Sequence, residues 1–144
     1  MKLKCLNEVL RAEYQYKTDG AAGLDLIAAI PGRIELFPGR TALVPTGLCA
    51  EIPHGYAALV CPRSGLASNN QITVLNGPGV VDSDYRGEIK VLLVNHGLNI
   101  YEIYPGARIA QLVVVASPRM SIEWVSELDE TARGSGGFGS TGGY

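Results

Sequence analysis

The amino-acid sequence predicts an all-β domain, and three observations lead to that fold class. Short runs rich in valine, isoleucine and leucine recur along the chain and end at proline or glycine turn signals. These runs do not alternate with long helices, as the strands of a parallel α/β fold would. The chain has 144 residues, of which 47% are hydrophobic and 18% charged, which is enough apolar material for one packed interior. We therefore expect a single barrel or sandwich.

The turn signals divide the chain into eight expected strands. They cover residues 33–36, 41–44, 56–61, 72–75, 88–94, 100–103, 109–115 and 121–125. One short helix is expected over residues 64–71, because Ser64 can cap its first turn and no proline interrupts it. Residues 1–13 have only a weak helical periodicity, and residues 13–16 favour an extended edge.

The end of the chain differs in composition from the rest. After Ala132 the sequence becomes rich in glycine, so we expect a folded domain of residues 1–132 and a flexible glycine-rich C-terminal arm of residues 133–144. Backbone amides in such an arm can surround phosphate oxygens, Arg133 can pair with them, and Phe138 can stack on a flat ring. The same composition also suits a linker that binds nothing.

Charge and composition exclude several classes of function. The formal net charge is −2 and the pI is about 5.6, so nothing attracts the whole molecule to long nucleic acid or to an anionic membrane. No run approaches the roughly 20 apolar residues of a membrane span, and the first residues lack the apolar core of a signal peptide. We expect a cytoplasmic protein whose phosphate binding, if any, is local.

The cysteines and histidines do not indicate a disulfide framework or a protein metal cage. Cys5, Cys49 and Cys61 are odd in number and widely spaced, which favours buried thiols. His54 and His96 have no His, Cys or carboxylate at metal-ligand spacing nearby, which favours turn or surface positions over metal ligation or a nucleophilic triad.

Residues 62–67, Pro-Arg-Ser-Gly-Leu-Ala, place Arg63 and Ser64 where an expected strand runs into the expected helix. Amides at the start of the helix, a hydroxyl and a guanidinium then converge, which favours an anion site. The alternative is that Ser64 only caps the helix and Arg63 only faces water.

Residues 76–88 contain a hairpin turn followed by Asp82, Asp84 and Tyr85. The backbone groups of such a turn can pair with the edge of a pyrimidine as one strand pairs with another, with the Asn76 amide adding a contact. Asp82 and Asp84 point the same way only if the backbone there is extended. Two carboxylates so close are candidates for a hard cation or for a base with a structural partner.

Two further polar residues lie in apolar surroundings. Asp25, within residues 22–26, needs a partner because an unpaired buried carboxylate is costly, and a structural role in a turn is as plausible as a functional one. Gln111 occupies a position typical of the core, so neighbouring backbone or a ligand must satisfy its side chain.

With these five segments in order, the chain resembles the homotrimeric, all-β deoxyuridine triphosphatases (dUTPases). The resemblance extends from Ala22 to Ser140, and it departs from the family pattern at Leu24, where an aromatic residue is frequent. It implies a jelly-roll-like β-barrel, a homotrimer with sites shared between subunits, and an arm that closes over a site formed largely by the other two chains. It also implies dUTP as substrate and Mg²⁺ as cofactor.

The resemblance assigns one group of residues to the nucleoside. The uracil would lie in the hairpin, without room for a thymine methyl, against backbone and side-chain groups of Asn76, Gly79, Val80 and Val81. Tyr85 would pack against the deoxyribose and exclude a 2′-hydroxyl, and Lys90 on the following strand would lie close enough to contribute.

A second group would bind the triphosphate. Its members in the folded domain are Arg63, Ser64, Gly65 and Gln111. From the arm, Arg133 would reach the terminal phosphate and Phe138 would stack on uracil. Gly139 and Ser140 would add phosphate contacts. Mg²⁺ would be held mainly by the phosphates, with Asp25 among the candidates for a contact through water.

The reaction that the resemblance implies is hydrolysis of dUTP to dUMP and pyrophosphate, with Asp82 activating a water for in-line attack at the α-phosphorus. Such an activity keeps uracil out of DNA and supplies dUMP for thymidylate synthesis. One alternative is a dCTP deaminase, whose catalytic glutamate lies on the strand after the hairpin, whereas residues 89–93 hold no carboxylate. The non-enzyme alternative is a jelly-roll binding module with a linker tail.

Overall fold

The computed structural model describes residues 1–137 and consists mainly of short antiparallel strands. In chain order the strands are β1 (Lys2–Cys5), β2 (Gly23–Ile27), β3 (Ile34–Leu36), β4 (Thr41–Glu51), β5 (Tyr56–Cys61), β6 (Ile72–Val74), β7 (Gly79–Val81), β8 (Glu88–Asn95), β9 (Tyr101–Ile103) and β10 (Arg108–Ala116). A 3₁₀ helix, Glu8–Glu13, follows β1, and one α-helix, α1 (Ser64–Asn70), lies between β5 and β6.

Two four-stranded sheets and a two-stranded ribbon make up the fold. The first sheet has the strand order β1-β4-β8-β6, the second has β2-β10-β5-β7, and β3 pairs with β9. All pairs are antiparallel. Buried aliphatic side chains from both sheets and the ribbon form one core, in which the largest are Leu24, Leu26, Leu36, Leu48, Ile72, Leu93, Ile103, Ile109 and Leu112. The all-β prediction is confirmed.

Most of the expected elements are confirmed, with small differences at their ends. Seven of the eight expected strands coincide with β3, β4, β5, β6, β8, β9 and β10, and the expected helix coincides with α1. The main difference in length is in β4, which continues to Glu51 where the prediction stopped at residue 44. The reason is a bulge that lets the strand continue past Pro45, as described below.

The prediction of a strand at residues 121–125 is wrong for this chain. After β10 ends at Ala116, residues 117–137 contain no strand or helix. The alternating apolar residues of that segment have no partner among the described residues, and the Ile122 and Trp124 side chains are 83% and 93% exposed. A strand needs a neighbouring strand for its hydrogen bonds, so alternation alone does not make one.

The N-terminal predictions are also corrected. Residues 1–13 form β1 and then a 3₁₀ helix whose first turn is capped by the Asn7 side chain, which accepts a hydrogen bond from Val9 N. Residues 13–16 are not an extended edge, because Glu13 ends that helix. Three strands were therefore not among those expected, namely β1 and the short strands β2 and β7, which lie next to glycine-containing turns.

A bulge in β4 shapes the part of the fold that adjoins the candidate site. Opposite β8 the register shifts between Pro45, which pairs with Lys90, and Leu48, which pairs with Ile89. Thr46 and Gly47 are therefore left without ladder partners on β8. The buried Thr46 hydroxyl compensates by donating to Ile89 O at 2.6 Å.

Gly47 is required at this bulge for two reasons. Its φ is +66°, which favours glycine, and a Cβ there would lie 3.2 Å from Ala29 Cβ. Gly39 has a similar φ of +70° but open space where its Cβ would be.

We expect Gly47→Ala to destabilise the protein more than Gly39→Ala. Both substitutions incur the left-handed backbone cost of about 1–2 kcal/mol, and only Gly47→Ala adds a steric cost of about 1–3 kcal/mol. Urea unfolding of the two variants beside the parent chain measures the difference. Equal losses in both variants would show that the contact with Ala29 has no energetic weight.

Candidate functional site

The turn between β6 and β7 and the start of β8 border a cavity of about 300 Å³. The turn was expected to be a hairpin, but β6 pairs with β8 and β7 pairs with β5, so the two strands belong to different sheets. Seven residues that the sequence analysis singled out line it together, namely Asn76, Gly79, Val80, Val81, Asp82, Tyr85 and Lys90. Val60, Glu88 and Ile89 complete the lining and were not singled out. Glu88 was detectable in principle, because residues two apart on a strand share a face and Lys90 was already a candidate.

β7 is placed so that its backbone can meet a ligand. It is the last strand of its sheet and pairs on one side with β5, through Val81 with Ala58 and Gly79 with Val60. Within residues 1–137 no strand pairs with its other side. Because β7 lines the cavity, its unpaired N–H and C=O groups can meet a planar partner there.

The exposed Asn76 side chain lies close to Gly79, which leaves room for it. A Cβ on Gly79 would lie 3.1 Å from Asn76 Nδ2 and 3.4 Å from Val60 Cβ. The turn itself is closed by Gly77 N, which donates to Val74 O at 3.0 Å. The side-chain amide of Asn76 is thereby held beside the edge of β7.

Asp82 and Asp84 share only one of the two cavities that lie beside them. Tyr85 N donates to Asp82 O at 3.2 Å, so residues 82–85 form a turn and not an extended segment. Asp82 lines both the first cavity and a second one of about 500 Å³, whereas Asp84 lines only the second, together with His54 and Arg119. Of these two exposed residues, only Asp82 therefore lines the first cavity.

The opposite wall of the first cavity is held by side-chain hydrogen bonds. The Tyr85 hydroxyl donates to Glu88 O at 3.0 Å. Glu88 Oε1 accepts from Gly47 N at 2.7 Å, and its Oε2 lies 3.9 Å from Lys90 Nζ. β8 thus begins with a carboxylate in the cavity, one residue before the stretch 89–93.

Tyr14 supports this wall from behind. Its half-buried hydroxyl donates to Thr46 O, next to the bulge residue Gly47. Burial raises the pKa of Tyr14 to about 12, and the nearby Cys5 thiol and Glu88 carboxylate act in the same direction.

A second cluster lies on the other four-stranded sheet. Gln111 of β10 is paired directly with Asp25 of β2 on one side and with Cys61 of β5 on the other. All three side chains are half-buried on one face, while their strand neighbours Leu24 and Leu112 are buried in the core. Alternation along the strands therefore explains a polar residue in an otherwise apolar strand.

Asp25 is held between two arginines. Its Oδ1 lies 3.2 Å from Arg63 Nε and its Oδ2 lies 3.6 Å from Arg108 Nε. Arg63 also donates from Nη1 to Arg108 O at 2.9 Å. The partners of Asp25 are thus side-chain cations, where the structural alternative had expected backbone amides in a turn.

Gln111 finds a partner in the neighbouring backbone. Its Nε2 donates to Pro62 O at 3.1 Å, just before Arg63. Gly23 makes space for this side chain, because a Cβ there would lie 2.6 Å from Gln111 Oε1. The bond ties Gln111 to the segment that carries Arg63 and the exposed Ser64.

The prediction that Ser64 caps the helix is wrong. Arg63 is the N-cap residue and makes no side-chain capping bond, and Ser64 is the first helical residue. Ser64 and Gly65 are both exposed beside Arg63. Their hydroxyl and amide groups stand at the surface next to the Asp25–Arg63 pair.

The described part of the arm contains Arg133, which is exposed and donates from Nε to Gly136 O at 2.9 Å. Phe138, Gly139 and Ser140 lie outside the described residues. Within residues 1–137, no group of three or more His, Cys, Asp and Glu side chains is arranged to hold a metal ion. In the same range, no helix has the length and apolar character needed to cross a membrane.

Comparison with known proteins gives a consistent result. A family model described as dUTPase matches residues 12–142. The deoxyuridine 5′-triphosphate nucleotidohydrolases of Rhizobium rhizogenes and Brucella melitensis biotype 2 are each 56% identical over 129 residues. These alignments cover 88% of this chain and 83% and 82% of the two relatives.

Solved structures show the same fold. The dUTPase of Staphylococcus bacteriophage 80alpha with dUPNHPP superimposes with a TM-score of 0.88 at 27% identity, covering 98% of this chain and 97% of that chain. A mutant of the same phage enzyme with dUpNHpp gives a TM-score of 0.86 at 25% identity with the same coverage.

The raised pKa of Tyr14 predicts a pH dependence of stability. The folded state favours the neutral phenol, so this stabilisation is complete below the ordinary pKa of 10 and is lost as pH rises through about 12. Between these values the free energy of unfolding should fall more steeply in the parent chain than in Tyr14→Phe. Urea unfolding across this range measures it, with the exposed Tyr16→Phe as control. Parallel pH profiles for all three proteins would contradict the prediction.

Proposed function

The chain belongs to the dUTPase family, and from that premise we propose that it hydrolyses dUTP to dUMP and pyrophosphate. The observation that carries this proposal is the first cavity, which brings together the free edge of β7, the Asn76 amide, the Asp82 carboxylate and the Tyr85 ring. Main-chain groups beside an amide can recognise the edge of a uracil, and a carboxylate close by can act on a water.

Uracil is recognised by the edge of β7 and by Asn76. Its N3–H and two carbonyl groups match the donors and acceptors that an unpaired strand edge presents. Gly79 and Val81 of β7 are buried, so the base lies against packed backbone with little space around it. A cytosine presents a donor where uracil has a carbonyl and leaves polar groups unpaired, which supports selectivity.

Tyr85 selects the sugar. Its hydroxyl is engaged with Glu88 O, so its ring, rather than its polar end, is the part presented to the nucleoside. A deoxyribose packs against a ring face, and a 2′-hydroxyl there would lose its hydration without gaining a partner. Lys90, whose ammonium group lies in the same cavity, contributes a positive charge towards the phosphate side.

Asp82 is the general base. Asp82 is exposed at the rim of the cavity. A water molecule there can contact both the Asp82 carboxylate and the α-phosphorus of a bound nucleotide. By accepting a proton from that water as it attacks in line, Asp82 makes the water a better nucleophile, and pyrophosphate leaves from the opposite side.

Arg63, Ser64, Gly65 and Gln111 bind the triphosphate. The guanidinium of Arg63 is oriented by Asp25, and the exposed Ser64 and Gly65 lie beside it. The residues present fit a Mg²⁺ that is held mainly by substrate oxygens, because residues 1–137 offer no three-ligand cage and both oxygens of Asp25 already face arginines. Asp25 would contact the ion through water, and the ion would offset phosphate charge.

The complete site is assembled from several subunits of a homotrimer. In support, the lining of the first cavity shares no residue with the cluster of Asp25, Arg63 and Gln111. The segment after β10 also exposes Ile122 and Trp124, apolar surface that association would cover. Residues 1–132 form the β-barrel domain, and residues 133–144 form the arm, from which Arg133, Phe138, Gly139 and Ser140 close over a neighbouring site.

In the cell this reaction would keep uracil out of DNA and supply dUMP for thymidylate synthesis. We place the protein in the cytoplasm, where dUTP is the small-molecule partner and neither a membrane nor long nucleic acid is required.

Replacing Asp82 by Asn should lower kcat for dUTP by roughly 10²–10⁴-fold while substrate binding is retained, because an amide accepts no proton at neutral pH. Pyrophosphate release with Mg²⁺ measures it, with dCTP, dTTP and UTP run beside dUTP. Asp84→Asn, which changes a carboxylate outside the first cavity, is the matched control. Near-normal turnover by the Asp82 variant would remove this residue from the role of base.

Truncation after Ala132 should leave the folded trimer intact and remove most of the activity, because the arm is expected to act only when it closes over the nucleotide. Sedimentation or light scattering reports the oligomer, and the same pyrophosphate assay reports turnover. If the truncated chain no longer forms a trimer, the arm has a structural role instead.

A further inference from the structure

We propose that the β4 bulge residues Thr46 and Gly47, acting through Glu88, position Tyr85 and thereby set how strongly the cavity discriminates deoxyribose from ribose. This inference rests on the proposed function, because it concerns the sugar that Tyr85 is proposed to contact. Glu88 and Thr46 are positioning residues in this account, since they act through other groups.

The bulge and the cavity wall satisfy each other's polar groups. The register shift leaves Gly47 N without a ladder partner, and Glu88 Oε1 accepts its hydrogen bond at 2.7 Å. Thr46 Oγ1 donates to Ile89 O at 2.6 Å and accepts from Leu48 N at 3.3 Å. The Thr46 side chain is completely buried, so water cannot replace these bonds. Two successive residues of the wall are therefore fixed by two successive residues of the bulge.

The position of Tyr85 follows from the position of that wall. Its hydroxyl donates to Glu88 O at 3.0 Å. The ring also lies against Gly87, where a Cβ would come within 2.6 Å of Tyr85 Cζ. Tyr85 itself is 45% exposed and lies on a turn, so the contacts with residues 87 and 88 restrict where its ring can go. If Glu88 moves, the ring moves with it.

A hydrogen bond, and not the charge of Glu88, carries the positioning. Gly47 N–H is a neutral donor that an amide oxygen satisfies as well as a carboxylate does. The contact of Glu88 with Lys90 is long, at 3.9 Å, and half of the Lys90 side chain is exposed, which makes that ion pair weak. Glutamine at position 88 should therefore preserve the geometry, while alanine should release it.

The test compares kcat/KM for dUTP and for UTP in matched pairs of variants. We expect the dUTP:UTP ratio to fall by about tenfold in Glu88→Ala and in Thr46→Val, each of which removes one bond between bulge and wall. The ratio should stay within about twofold of the parent value in Glu88→Gln and Thr46→Ser, which keep those bonds. Glu51→Ala, at an exposed β4 carboxylate outside the first cavity, should not change it.

Tyr85→Phe keeps the test decisive if the buried Thr46 variants fail to fold. It retains the ring, removes only the hydroxyl that bonds to Glu88 O, and should lower the ratio as Glu88→Ala does. A loss of kcat/KM that is equal for dUTP and UTP in Glu88→Ala and Tyr85→Phe would overturn the proposal and leave a purely structural role. A ratio that falls as far in Glu88→Gln as in Glu88→Ala would show that the charge acts directly, and would also overturn it.

Calorimetric titration with dUMP and UMP separates this inference from the reaction. Preference of the parent chain for dUMP over UMP, reduced in Glu88→Ala and kept in Glu88→Gln, supports the positioning role even if dUTP is not hydrolysed. Hydrolysis of dUTP with an unchanged dUMP:UMP preference in Glu88→Ala contradicts the positioning role and leaves the proposed function standing.

Discussion

The passage of the chain from one four-stranded sheet to the other is the constraint on which the candidate site depends. β6 is the last strand of the first sheet and β7 the last strand of the second, and only residues 75–78 connect them. The first cavity lies beside this connection between the two sheets, which is called the seam below. The unpaired backbone groups at the edge of β7 therefore line the cavity in addition to the side chains.

The seam remains well defined because polar groups on its two sides depend on each other. The β4 bulge needs acceptors and donors that the ladder no longer supplies, and the start of β8 supplies them. Tyr14 extends the same network to the N-terminal segment. Tyr14, which is remote in sequence from the turn between β6 and β7, thus helps to fix the cavity wall. Buried polar groups can be satisfied in only a few arrangements.

Strand alternation produces the second cluster. On β2 and β10 the same backbone places Leu24 and Leu112 in the core and Asp25 and Gln111 on the opposite face. Asp25 then orients Arg63, the cation that we propose for phosphate binding. The chain belongs to the dUTPase family, and the proposed site combines residues from both clusters.

The sequence by itself determined the fold class, seven strands, one helix and the five segments that identify the family, because alternation and turn signals are local properties. It also indicated seven residues that line the first cavity. The tertiary structure decided the rest. The hydrogen bonds that join Glu88 and Thr46 to the opposite strand link residues 41 and 43 positions apart, and β7 is a strand only because β5 lies beside it. Residues 121–125 alternate as a strand would, but no strand pairs with them among residues 1–137. The hydrogen-bond partners of a strand are distant in sequence, so a local pattern of residues cannot show whether they are present.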